Sequence, residues 1–391
     1  MIVNQAAAGG GAKYTIDVQN AGVTKISSVA NLSEGRRLPA GASVGEYALV
    51  MGGELASGKS SKVDAYNTAL TRSTPTELSV ARDQLAGASV GNYALALGGY
   101  TGSAASGVVN AYNTALTRST AVGLTVNRSW PAGASVGNYA LAMGGGDPIS
   151  DVVEAYNASL SRSTPTVLSV ARTSAAGVSV GGYALAAGGY TGSATSAVVN
   201  AYNTTLTRST PTSLSVARRY IASSSVGNYA LLMGGNTGSG RSDVVDAYNT
   251  SLTRLTPVVL SVGRDYIAGA SVGDYALAIG GSTGGHSDAV DAYDTSLTRL
   301  TPMPLSAGRD RAAGVSVGGY ALAAGGYTTA ANYSDVVEGY YDVPGVLINM
   351  TFAPGTKYKF NDAPEVSVTV QTSVNERVAS GYIKFKNGIL S

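Results

Sequence analysis

Residues 82–127 read RDQLAGASVGNYALALGGYTGSAASGVVNAYNTALTRSTAVGLTVN, and closely similar phrases precede and follow them. The paired glycines recur from Gly52 through Gly98, Gly144, Gly188, Gly234 and Gly280 to Gly325, at spacings of 46, 46, 44, 46, 46 and 45 residues. Arg36, Arg82, Arg128, Arg172, Arg218, Arg264 and Arg309 keep the same beat, as do two tyrosine series running from Tyr47 to Tyr320 and from Tyr66 to Tyr340. A fixed period of this length marks repeated supersecondary units. Seven of them span residues 36 to about 345.

Within the quoted unit, LAGASV and YALALGG flank Gly91-Asn92, the pattern of two strands joined by a tight hairpin. A variable loop leads to VVNAYN, a short turn and a fourth extended stretch, LTRSTAVGLTV, so each unit holds four short strands. The first strand is built of small residues, as crowding around a common axis requires, and Tyr93, Leu95 and Leu97 give the second its bulk. Helical periodicity is absent from the repeats, and a Gly-Gly pair would be costly inside a helix.

The spacing from Arg82 to Gly98-Gly99 and on to Tyr112 resembles the kelch repeat, whose units form the four-stranded blades of a β-propeller. One departure from that pattern is the missing Trp after the Tyr, where this chain has Leu70, Leu116, Leu160, Leu206, Leu252 and Leu297. The expected fold is therefore all-β: a seven-bladed kelch-like propeller of four-stranded blades, plus a small C-terminal β-module. Residues 23–36 align with the fourth-strand segment 69–82, so residues 23–33 are expected to complete the last blade and leave no open edge between first and last. The expected domains are an N-terminal attachment segment 1–22, a propeller 23–345 and a module 346–391, the last reading as four alternating strand candidates, VLINMTF, KYKF, VSVTVQT and YIKFKN.

Composition narrows the function. The 391 residues are 44% hydrophobic and 13% charged, with 51 Gly and no Cys, which suits a folded β-rich chain and removes disulfides, thiol nucleophiles and cysteine-held zinc. The net charge of +2 gives no basic face for a nucleic acid. No apolar run is long enough for a membrane helix, and the start lacks a secretory leader. No calcium loop, phosphate loop or ligand set for the copper of galactose-oxidase-like propellers is present, so neither metal nor cofactor is expected. The single histidine, His286, reads as a solvated loop residue, and recurrent acids such as Asp151, Asp243, Asp288 and Asp335 read as blade-edge features, with a paired-carboxylate site left open.

Repeats can be compared with one another inside one chain. They differ chiefly in the three residues after the landmark Arg and in the residue after Gly-Gly, and both places fall on one side of the disc in an up-and-down blade. The candidate ligand-binding residues there are Arg37, Tyr100, Trp130, Tyr190, Arg219, Tyr220, Tyr266, Arg311 and Tyr327, types that dominate recognition hot spots and, for the aromatics, stack on sugar rings. Drift of unconstrained loops is the competing account, and Trp130 reads equally well as a plug over the core. The landmark arginines are expected to be structural, bonding to neighbouring blades' carbonyls.

The opening MIVNQAAAGGGAKYTID is similar to the starts of tail-associated proteins of phages and prophages of Gram-positive bacteria. With the diversified face, that implies a non-enzymatic receptor-binding or accessory protein on a virion or extracellular surface. It would bind a cell-surface glycan or protein and be held to a larger assembly by its termini, as an oligomer or not. The alternative is a carbohydrate-active enzyme, a lyase or glycoside hydrolase, with its site at the mouth of the propeller axis. A third is a structural scaffold.

Overall fold

A four-strand order repeats around a common axis. The computed structural model describes residues 22–328 and 332–343 with their side chains, and otherwise only strand backbone within residues 2–18 and 346–390. The chain divides into two compact units, Lys25–Tyr341 and a second made of Met1–Thr24 with Asp342–Ser391. In the second, the strands Ile2–Gln5, Lys13–Val18, Val346–Thr351, Val366–Thr372 and Ala379–Ile383 form one antiparallel sheet in that order. Most of the expected attachment segment 1–22 and module 346–391 otherwise lies outside the described residues, as does the strand expected over KYKF.

In the second blade, Ala86–Val90, Tyr93–Leu97, Val109–Asn113 and Arg118–Thr120 pair antiparallel from the axis outward. Five further sheets repeat the pattern behind the innermost strands Ala40–Val44, Ala132–Val136, Ala176–Val180, Ala222–Val226 and Ala268–Val272. The seventh runs Ala313–Val317, Tyr320–Ala324, Val337–Val343 and finally Gly22–Lys25, so the N-terminal side fills the outermost place. Beyond that strand the chain stays on the seventh blade, through bonds from Ile26 N–H to Gly339 O (2.8 Å), Leu32 N–H to Asp335 O (2.7 Å) and Arg36 N–H to Ser334 O (3.1 Å). The protein is an all-β, seven-bladed propeller closed as the repeat alignment predicts.

The core lies between blades. In the second strand YALAL, Ala94 and Ala96 join the buried cluster of blade one, while Leu95 and Leu97 join a cluster with Ala140, Ala142 and Tyr156 of blade three. Each blade thus offers a shallow alanine face to one neighbour and a leucine face to the other, which is why this strand is buried on both sides. At the axis the innermost strands touch: a Cβ on Gly87 would stand 2.0 Å from Gly41 O, which only glycine avoids.

Serine links those strands. The hydroxyls of Ser43, Ser89, Ser135, Ser179, Ser225, Ser271 and Ser316 each donate to the serine carbonyl of the preceding blade at 2.6–2.7 Å, Ser43 to Ser316, and the circle closes. Hydrogen bonds of this kind contribute roughly 0.5–1.5 kcal/mol each. The glycine pair adds a second link: Gly53 N–H donates to Arg82 O of the next blade, and Gly326 N–H to Arg36 O shuts the ring, both at 2.9 Å.

Every landmark arginine is buried. Contrary to expectation, it bonds within its own blade: Arg218 donates to Leu232 O (3.1 Å) and to Asp246 (2.6 Å), and Arg264 to Ala278 O and Asp291. The acceptor on the third strand is Asp64, Asn110, Glu154, Asn200, Asp246, Asp291 or Glu338. Where it is an amide, burial without a facing carboxylate pushes Arg82 and Arg172 down to about 10.

Candidate active site

The two diversified sets of the sequence pair with each other. Arg37 bridges Glu54, Asp83 bridges Tyr100, Thr173 bridges Tyr190, Arg219 bridges Asn236, Asp265 bridges Ser282, and Asp310 pairs with Tyr327. One step further along the chain stand Leu38, Gln84, Trp130, Ser174, Tyr220, Tyr266 and Arg311, all seven with φ between +49° and +56°. That left-handed conformation costs an L residue about 1–2 kcal/mol. It is held here by backbone bonds between neighbours in the ring, such as Trp130 N–H to Gln84 O (2.9 Å), Arg311 N–H to Tyr266 O (3.1 Å) and Leu38 N–H to Arg311 O (2.8 Å).

Six of these seven residues line a cavity of about 170 Å³, the mouth of the propeller. Trp130 meets Tyr220 edge-on with ring centroids 5.5 Å apart, Tyr220 stacks on Tyr266 at 4.2 Å, and Trp130 lies 6.3 Å from Tyr266. The Arg311 guanidinium lies 4.2 Å from the Tyr266 ring centroid. Burial and the neighbouring Tyr220 hydroxyl push the Tyr266 phenol above its ordinary value, which keeps it a neutral hydrogen-bond donor. A cluster of aromatic rings, two stacked and one set across them, beside a fixed cation and an amide suits a polyhydroxylated ring with apolar faces and polar edges.

Behind the mouth stands an acid–base pair. Asp310, 2% exposed, accepts from Arg311 Nη1 at 2.7 Å. Its other oxygen lies 3.2 Å from His286 Nδ1, an ion-pair distance without the alignment of a hydrogen bond. A carboxylate facing an imidazole at this distance is the pairing on which general acid–base catalysis draws. His286 also meets the Tyr327 ring edge-on at 5.4 Å, and Arg37 lies 5.0 Å from the same ring centroid.

The remaining charges form a second cluster. Burial works against the Glu54 carboxylate, but bonds from Arg37 and Lys59 outweigh it and hold the group below its usual range. Burial keeps Asp83 above its usual range despite Lys59 at 3.0 Å. Among the described residues no group of three or more His, Asp or Glu side chains could hold a metal ion, and no helix is long and apolar enough to cross a membrane.

Of the nine residues expected to bind ligand, Trp130, Tyr220, Tyr266 and Arg311 gather at the mouth cavity. Arg219 adjoins them, its guanidinium 5.1 Å from the Tyr220 ring and 4.7 Å from Tyr190. Arg37 and Tyr327 adjoin through His286 and Asp310. Tyr100 stands apart, beside Lys59. Sequence reasoning missed Gln84, His286 and Asp310. Asp310 and Gln84 lie inside the diversified triplets, but nothing local says that a loop histidine of the sixth unit reaches the aspartate of the seventh.

No family model matches the chain, and comparison with curated proteins finds no match. Among solved structures it is similar to that of YjhT, with a TM-score of 0.53 and 12% identity over 83% of this chain and 99% of that one. At that identity the likeness establishes the fold. It also corrects the expected function: the likeness to YjhT overturns the reading of a non-enzymatic adhesion protein of a phage or prophage tail, and with it the description of the chain as not an enzyme. The physical reason lies in the mouth. Variation that is spread evenly around the sequence repeats converges in space on a concave cavity, with a histidine–aspartate pair on one side of the ring.

Proposed function

We propose that the chain is a carbohydrate-active enzyme, a lyase or glycoside hydrolase, working at the mouth of a propeller whose units are of kelch type. The observation that carries this reading is the convergence of Trp130, Tyr220, Tyr266 and Arg311, from four different blades, on one small cavity beside the His286–Asp310 pair. The aromatic rings take the apolar face of a sugar, and Arg311, fixed by Asp310 and stacked on Tyr266, takes a hydroxyl or a carboxylate on its edge. His286, set by Asp310, moves the proton that bond cleavage requires.

The test is turnover by the purified chain on chromogenic glycosides and on uronate polysaccharides, the latter followed through the absorbance of unsaturated products. Activity should fall by about 100-fold or more in His286→Asn and in Asp310→Asn at unchanged melting temperature, the usual weight of a general acid–base group. Activity that survives both substitutions removes the dyad from the chemistry.

A further inference from the structure

A groove of about 470 Å³, lined by Gln84, Tyr100, Ser103 and Asp147 among others, opens on the same face of the disc. It shares Gln84 with the mouth cavity, and Gln84 O accepts the backbone N–H of Trp130 at 2.9 Å. The two spaces therefore meet at one residue, where blades two and three adjoin.

The groove lies beside the unit whose corner between second and third strands is the shortest of the seven. Gly98 to Tyr112 is 14 residues, whereas Gly144 to Tyr156 is 12, so the corner between second and third strands is two residues shorter in blade three. There the strands Tyr139–Gly145 and Ser150–Asn157 run on into a tight turn. That turn sets Asp147 at φ +62°, a strained position for a non-glycine residue, and Ser129 Oγ donates to its Oδ2 at 3.0 Å. Gln84, also left-handed, donates its amide to Asp83 at 3.3 Å, which leaves its carbonyl oxygen to a ligand. One aromatic ring, one carboxylate and one amide, with both polar groups fixed, have the chemistry of a saccharide subsite.

Resting on the carbohydrate reading above, we infer that the site takes an oligosaccharide rather than a single sugar. Its terminal unit fills the aromatic mouth, and the next unit lies over the groove, stacked on Tyr100 and bonded through hydroxyls to Asp147 and Gln84. The chain then runs radially outward between blades two and three, and the site acts on chain ends.

Trp130, the only tryptophan, lies in the mouth and reports its occupancy by fluorescence. The probes are glucose with cellobiose and cellotriose, N-acetylglucosamine with its β-1,4 dimer and trimer, and galacturonate with its α-1,4 dimer and trimer. In the series whose monomer changes the Trp130 signal, the dimer should bind at least about tenfold more tightly, a gain worth one good charged hydrogen bond with a stacking contact. Tyr100→Ala and Asp147→Asn should return the dimer to the affinity of the monomer and leave the monomer unchanged. A dimer that gains nothing, or variants that weaken monomer and dimer alike, overturns the second subsite while the carbohydrate reading stands. Silence from every member of every series overturns both.

Discussion

Two sets of left-handed, non-glycine residues mark the two ends of the propeller. At the turns between third and fourth strands the set is uniform: Leu70, Leu116, Leu160, Leu206, Leu252 and Leu297, with φ from +58° to +62°. At the mouth the backbone repeats almost as faithfully, yet the side chains are Leu38, Gln84, Trp130, Ser174, Tyr220, Tyr266 and Arg311. Both ends bear the same strain, but the far leucines offset it by packing against the buried clusters between blades. One packing role selects one residue six times. No packing role selects among the mouth residues, so their variety points to what enters from outside.

The largest effect should come from emptying the mouth. Trp130→Ala, Tyr220→Ala and Tyr266→Ala together should weaken sugar binding by about 100-fold or more in calorimetric titration, since aromatic anchors dominate such sites, while the melting temperature barely moves. A collapsed melting temperature would show the three rings to be core, and the comparison of the two ends would fail.

Glycine in place of the strained residue separates the ends by sign. Leu116→Gly with Leu160→Gly should cost roughly 2–4 kcal/mol in denaturant unfolding, because lost burial of about 1.5–3 kcal/mol per leucine, with about 0.4–1 kcal/mol per site for the looser unfolded chain, exceeds the relief of about 1–2 kcal/mol in strain. Gln84→Gly at the mouth loses no buried apolar side chain, only a long bond to Asp83 and about 0.4–1 kcal/mol of chain entropy against that relief, so stability should hold or rise. Equal losses at both ends would sink the distinction.

The closure sharpens it next. Burial opposes ionisation of Glu338, but the bonds from Lys25 and the charge of Arg309 outweigh it and hold the carboxyl below its usual range. A carboxylate with a depressed folded pKa stabilises fully above its unfolded value, and that contribution fades as pH falls through the folded one. Glu338→Gln should therefore cost about 1–3 kcal/mol at neutral pH, with the gap to wild type closing below about pH 4.5, near the unfolded glutamate value. A gap unchanged at low pH would place the effect elsewhere. Smallest is Asn110→Asp, which sets a carboxylate against the unpaired Arg82 and should stabilise by about 1 kcal/mol at neutral pH; a loss of that size instead would show that the site cannot accommodate a second charge.

Much of the architecture was legible before any coordinates. The 46-residue beat counts the blades, YALAL alternates small and large for two different neighbours, and Leu32 aligned on Leu78 foretells the closure. The arginines were read as structural but assigned the wrong partners, because sequence shows which residues recur and not that the acceptor, 26 to 29 positions later, lies in the same sheet. His286 was read as solvated for a similar reason. Its partner Asp310 belongs to the next unit, and no pattern within one repeat records a contact between two.

What the sequence determined by itself is everything that one period contains: four strands, their hairpins, their buried faces and their number. Only the tertiary structure decided what happens across the axis: the closed circle of serines, the meeting of Trp130 with Tyr220 and Tyr266, and the shared Gln84 between mouth and groove. Strand pairing within a blade is local and is fixed by alternation along the chain. Contacts across the ring join residues one to three units apart, and they exist because seven wedges of small inner strands close at that radius.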